Sequence, residues 1–326
     1  MATPSGNLTN DGSDLVPVTT FDGPRLEFDF PGLLIGVAEY AEGPTGCTVF
    51  RFPAGSHGLA DVRGGAPATI LSHREGWVDA ICLAGGSVYG LEASTGVSAE
   101  LLSRKDYDTD WMNIAIVSGA VLFDFNRFRI NRAIYPDKKL GRAALNAGTE
   151  GSFLIGPRGA GVSATVGKWL RETHELERCG QGAAFLQHGA VKVAVFTVIN
   201  SVGCLVDREG KAVRGHLDPA TGERHRVGDV YEMGGPSPEG EPPAGNTTLT
   251  VVVTNQPMDL RGLRQLGRQV HSSMARAIDP FHTMHDGDVL YAVTTNHLEG
   301  EPLHHQEISH IASELAWDAV LCSFQP

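Results

Sequence analysis

Residues 245–253 read Gly245-Asn246-Thr247-Thr248-Leu249-Thr250-Val251-Val252-Val253. A Pro/Gly-rich loop, GGPSPEGEPPAG, ends at Gly245. Two positions later begins a run of Thr, Leu and Val, the residues of a packed strand. Spacing alone fits a linker entering a strand, with Asn246 as its turn residue. The same residues also permit chemistry. A hydroxyl beside a strained peptide bond can attack the preceding carbonyl, and the resulting ester can be hydrolysed by water. Thr247 would then own both a hydroxyl and a free α-amine, whose ordinary pKa of about 8 suits it to act as base for its own hydroxyl.

Outward from this junction, 33–40, 48–53, 114–123, 191–198 and 289–295 are dense in Val, Ile and Thr and read as strands. Some are apolar on both faces, which predicts burial between layers. Asp259 is placed to cap a helix carrying Leu260, Leu263, Leu266, Val270, Met274 and Ala277, with Met258 stapled onto Leu263 and a stop before Pro280. Ile308, Ile311, Leu315 and Ala319 form the stripe of a C-terminal helix, and 87–102 reads as a buried one. The mixture predicts a layered α/β or α+β domain. Residues 1–24 read as a loose polar tail, 25–326 as one domain, and 208–245 as its only long linker-like stretch.

The chain has 326 residues, of which 40 are Gly, and a net charge of −12. The glycines have no three-residue period, which excludes collagen, and 41% hydrophobic residues suffice for a core. No apolar run approaches the ~18 residues of a membrane span. The acidic balance disfavours nucleic acid as a partner. Five scattered cysteines without a CxxC pair suit reduced thiols in a cytoplasmic protein, and no secretory signal is visible.

Nucleotide and hydrolase motifs fail on spacing. From Gly161 the second P-loop glycine is replaced by Val166, and Gly167-Lys168 is followed by Trp169. Gly159, Gly161 and Ala164 fit G-x-G-x-x-A without a βαβ unit around them. Around Ser87 the hydrolase elbow lacks its last glycine. His282, His285, His304 and His305 form no HExxH, and Asp286-Gly287-Asp288 reads as a turn, so no metal is expected.

The junction, together with CLAGGSVYGLEASTGV and HTMHDGD, resembles the P1 (DmpA-like) family of N-terminal-nucleophile peptidases, which includes D-aminopeptidases and β-aminopeptidases. The similarity runs from Leu26 to Leu321. Within the family it is nearest the branch that cleaves 6-aminohexanoate (nylon-6) oligomers endo-wise. That nearer match is carried by LEFDFPG, EYAEGPTG, YPDKKLGRAALNAG, GQGAAF, VDREGKAVRG and QVHSSMARAIDPFHT.

The resemblance implies an α+β, four-layer αββα sandwich that cleaves itself into 1–246 and 247–326, with both pieces staying associated. It implies Thr247 as nucleophile, freed by cleavage after Asn246, and Lys168 as a cation lowering or moving the hydroxyl proton. Asn200 becomes an oxyanion donor, and Asp286 and Asp288 orient the Thr247 ammonium and Lys168. Tyr89 and Glu92 are weaker candidates, for an oxyanion or substrate amide and for a substrate ammonium. No cofactor or metal is implied. The partners are a small oligoamide and further copies of the chain in a homotetramer. Three alternatives stay open: an aminopeptidase releasing D- or β-amino acids, an acyltransferase on a related scaffold, and a binding protein that never cleaves.

Overall fold

The computed structural model describes residues 8–234 and 245–324. The strands that organise it are β1 (Leu34–Tyr40), β2 (Thr45–Val62), β3 (Gly76–Ala84), β4 (Val117–Val121), β5 (Gln181–His188), β6 (Val191–Asn200), β7 (Thr247–Thr254) and β8 (Val289–Thr294). The helices are α1 (Leu91–Arg104), α2 (Lys138–Asn146), α3 (Leu260–Ser273) and α4 (His305–Cys322). Their hydrogen-bonded order is β5-β6-β7-β8-β2-β3-β4, with β1 sharing the β8 edge of β2. Only β7–β8 and β3–β4 are parallel among these pairs.

β2 is long enough to serve two sheets. Its second half pairs with β8 and its first half with β1, while β3 runs along both halves on the opposite edge. A register shift between Arg51 and Ser56 bends it from one to the other. Side chains alternate accordingly. Leu249, Val251 and Val253 of β7 meet Phe50, Phe52, Phe153 and Phe196 in a core between the sheets. Val252 faces outward with Val195, Leu290 and the apolar stripes of α3 and α4. A third core packs α1 and α2 on Ala80, Cys82 and Val49 of the second sheet. Three cores between four layers make the αββα sandwich. Each fully buried Leu, Val or Phe contributes roughly 1.5–3 kcal/mol to holding it.

Asp259 caps α3 through Gly262 N–H at 2.7 Å, and Met258 and Leu263 share one core. The helix gives way to a 3-10 turn, Met274–Arg276, before Pro280. The predicted helix at 87–102 divides into a 3-10 turn, Ser87–Gly90, and α1, because Gly86 and Ser87 both hold positive φ. α1 and α2 cross closely: a Cβ on Gly96 would lie 2.3 Å from Lys138 O, and one on Gly141 2.1 Å from Ala93 O.

Two expectations need correction. Residues 8–24 are anchored, not loose: Leu15 is buried, Val18 bridges Glu39, and Asn10 bonds Tyr135 O and Asp137. The linker-like stretch carries strand Ala212–Arg214, paired to Cys204–Val206, and helix Val227–Glu232. Most of its GGPSPEGEPPAG segment lies outside the described residues. Among the described residues no helix is long and apolar enough to cross a membrane.

Candidate active site

β7 begins at Thr247, deep between layers that cover both its faces, and every residue of the strand is buried. Asn200, the last residue of β6, stands directly opposite Thr247 in the antiparallel register. On the other side Asn246 forms a parallel bridge with Asp286, in the loop leading to β8. Three segments distant in sequence thus converge on one peptide bond, Asn246–Thr247.

The hydroxyl of Thr247 donates to the carbonyl oxygen of Asn246. That carbonyl also accepts the Gly287 backbone N–H at 2.6 Å. Asn246 is otherwise gripped through its own N–H, donated to His285 O at 3.1 Å, and its side-chain amide, donated to the same oxygen at 3.4 Å. A hydroxyl, the carbonyl that precedes it and a backbone N–H on the oxygen of that carbonyl are therefore assembled in one place.

Lys168 is buried, and its Nζ donates to Asn200 O at 2.8 Å and Asn200 Oδ1 at 2.9 Å. Burial pushes its ammonium down to about 7, although the Asp286 charge pulls the other way. An amine poised there exchanges protons at working pH. Asn200 Oδ1 also accepts Thr165 N–H at 3.0 Å, and Asn200 Nδ2 donates to Phe123 O at 2.9 Å and Gly245 O at 3.3 Å. The Asn200 amide is committed to those carbonyls, and the backbone donor on the Asn246 carbonyl is Gly287.

The two acidic side chains are fully buried. Asp286 accepts Val202 N–H at 3.2 Å, Thr283 N–H at 3.0 Å and Thr283 Oγ1 at 2.6 Å. Burial, reinforced by the Asp288 charge, raises its carboxyl to about 6 despite those donors. Asp288 accepts Thr248 N–H at 2.6 Å on one oxygen, and His282 N–H at 3.2 Å and Nδ1 at 2.9 Å on the other.

A cavity of about 250 Å³ opens beside this cluster, with Lys168, Asn246 and Thr165 on its inner wall. Phe123, Phe125 and Leu176 supply apolar sides, and Asn126, Arg127 and Arg171 complete the lining. No carboxylate stands among the described residues that line it.

Of the residues expected from sequence, Thr247, Asn246, Lys168, Asn200, Asp286 and Asp288 come together. Tyr89 and Glu92 are not among the cavity's lining residues. Tyr89 is exposed, with its ring 5.8 Å from that of Tyr135, and Glu92 lies beside Tyr135 as well. Sequence reasoning missed Gly287, Thr165, Thr283 and the aromatic wall. The signal for Gly287 was its position between the two acids. A Cβ there would lie 2.8 Å from Thr247 Oγ1 and 2.8 Å from Ala66 O. Gly287→Ala should therefore displace the hydroxyl and slow chain cleavage at least ~10-fold, read on a denaturing gel over time, because near-attack geometry tolerates little displacement. Among the described residues no three His, Cys, Asp or Glu side chains group as a metal site would require.

A four-layer sandwich with a threonine opening an inner strand is the fold of the Ntn hydrolases, and the protein is an amide hydrolase of that type. It belongs to Peptidase family S58, whose sequence signature matches residues 28–322. The 6-aminohexanoate-oligomer endohydrolase of Agromyces sp. (strain KY5R) is 46% identical over 332 residues, covering 97% of this chain and 90% of the relative. Among solved structures, a Burkholderia sp. β-aminopeptidase superposes with a TM-score of 0.64 at 16% identity, covering 92% of this chain and 88% of that one. The L-aminopeptidase D-Ala-esterase/amidase of Ochrobactrum anthropi, described as a variant of the Ntn hydrolase fold, gives 0.61 at 16%, covering 94% and 87%. At that identity the two structures speak to fold alone.

Proposed function

We propose that the chain cleaves its own Asn246–Thr247 bond and then hydrolyses 6-aminohexanoate oligomers endo-wise, with Thr247 as nucleophile. The observation that carries this reading is the Thr247 hydroxyl lying on the Asn246 carbonyl, with Gly287 N–H on the same oxygen. Thr247 Oγ1 adds to the carbonyl carbon while its proton is taken up through Lys168. The C–N bond breaks, the nitrogen takes a proton, and an Asn246 ester on Thr247 remains. Water cleaves that ester to an Asn246 carboxylate and a Thr247 with a free α-amine.

Substrate amides follow the same path. The amine product leaves first, and water releases the acid. Asp286 and Asp288 then face the new ammonium and hold it beside the hydroxyl. Neither a metal nor an organic cofactor enters this path.

The cavity supports endo cleavage. Asn246 is the acyl-side residue of the bond and forms part of the wall, so the cavity takes the acyl portion of a substrate. Phe123, Phe125 and Leu176 suit a polymethylene chain, and no carboxylate among the described lining residues is in place to hold the free ammonium that an exo-aminopeptidase must hold. The name carried by the 46%-identical relative supports the same substrate. Product analysis tests this choice: N-blocked and free 6-aminohexanoate oligomers should be cut internally at similar rates. Activity confined to free-amine substrates such as β-alanyl or D-alanyl amides would reverse it.

The five cysteines stand as free thiols, which suits a cytoplasmic location. Exposed Tyr107, Trp111, Met112 and Ile114 in one loop supply apolar surface for assembly into a homotetramer.

A further inference from the structure

A histidine pair behind Asp288, the buried His271 and the half-buried His282, is not used by the mechanism above. His282 holds φ at +58°, in the left-handed region, and this folds its backbone N–H and its ring Nδ1 onto the same Asp288 oxygen, at 3.2 and 2.9 Å. The other Asp288 oxygen takes Thr248 N–H at 2.6 Å, one residue beyond Thr247. Phe281 stacks on the His282 ring with centroids 3.8 Å apart. His271, from α3, meets it edge-on at 4.4 Å and is itself held by Asp61, Nδ1 to Oδ2, at 2.9 Å. Asp61 in turn pairs with Arg63 at 2.6 Å. Burial drives His271 down to about 4, so it stands neutral behind His282 at physiological pH.

We infer that His282 is a positioning residue for the reaction: it locks the Asp288 carboxylate so that the start of β7 presents the Thr247 hydroxyl to the bond being cut. The inference rests on the assignment of Thr247 as nucleophile. Its physical basis is rotational. A carboxylate held by Thr248 N–H and one backbone N–H can still swing about its Cβ–Cγ bond. A second donor on the same oxygen, clamped between Phe281 and His271, removes that freedom. His282 lines no part of the cavity, so its effect falls on the chemical step and not on substrate binding.

Two substitutions separate this role from general packing. An Asn amide places its N–H near the position of the histidine Nδ1 and tolerates the left-handed backbone. Gln carries its amide one bond further out. The experiment compares wild type, His282→Asn, His282→Gln and Thr247→Ala by in vitro translation and a denaturing gel over time. Steady-state kinetics on 6-aminohexanoate oligomers follow for whatever matures. His282→Asn should retain cleavage and kcat within about threefold of wild type. His282→Gln should lose at least ~10-fold in both, with KM changed less than about twofold.

Equal loss in the two variants, no loss in the Gln variant, or a loss appearing mainly in KM would overturn the inference. Should His282→Gln fail to fold, the Asn variant alone decides: a loss beyond tenfold in a folded His282→Asn protein contradicts the positioning role. Cleavage persisting in Thr247→Ala would instead remove the nucleophile assignment, a separate failure.

Discussion

Thr247→Ala leaves the chain as a single 326-residue polypeptide on a denaturing gel and removes amide hydrolysis. The effect is the largest expected from any substitution, because two reactions share one atom. Without Oγ1 no ester can form at Asn246, and without that cleavage no α-amine is released to serve the hydroxyl. Loss of an enzymatic nucleophile lowers kcat by roughly 10⁴–10⁶. The fold itself should survive. Thr247 contributes one methyl and one hydroxyl to a strand otherwise secured by Leu249, Val251, Val252 and Val253, so a near-unchanged melting temperature checks that the loss is chemical. Thr247→Ser should keep partial activity, since the hydroxyl is retained without the γ-methyl that restricts its rotamers.

The second large effect belongs to Lys168. The burial that holds its pKa at about 7 also makes its charge sensitive to pH near neutrality. The sign follows from the direction of the shift. A lowered lysine pKa means the neutral, proton-accepting amine grows in as pH rises through about 7. The rate of chain cleavage should therefore rise across that window and level off above it. Lys168→Met should slow cleavage by about 10²–10⁴-fold, the range associated with losing a general base, and flatten this limb. The variant also leaves Asn200 O and Oδ1 without the Nζ donor. Asn200 Oδ1 keeps the Thr165 N–H, whereas the backbone oxygen loses its Nζ donor; a buried acceptor so deprived costs about 1–3 kcal/mol, so stability should fall as well. Stopped-time gels across pH 5–9 measure the first effect and thermal melting the second. Retention of the pH limb in a folded Lys168→Met protein would assign the titration elsewhere, with Asp286, raised to about 6, as the next group to examine.

The strand that decides the fold was legible because β7 is covered on both faces, and such a strand must be apolar at nearly every position. β8 and β6 read out for the same reason. β3 and β5 did not. β5 ends in Gln187 and His188 at the surface, and β3 begins at Gly76-Trp77, so neither presents an unbroken apolar run. α2 escaped because Gly141 weakens its helical pattern locally. That glycine is required by the close approach of α1, a tertiary demand that no local propensity reports.

The site divides along a similar line. Residues whose side chains are able to carry chemistry, Thr247, Lys168, Asp286 and Asp288, were found through motif resemblance and converge in space. Gly287 acts through a backbone N–H, and His282 through an angle set by its own φ. Neither property is written in residue type. Tyr89 and Glu92 followed from their place in a family-like string, yet the 3-10 turn before α1 carries Tyr89 out to the surface. The cavity is lined instead by Phe123 and Phe125, residues that sequence alone marks only as apolar.

The central claim is that Thr247 becomes a chain terminus. Intact-mass analysis and N-terminal sequencing of freshly folded protein test it most directly. Cleavage after Asn246 gives two associated fragments, 1–246 and 247–326, the smaller beginning Thr-Thr-Leu-Thr. A single uncut chain that nevertheless hydrolyses oligoamides, or a cut at any other bond, would contradict it.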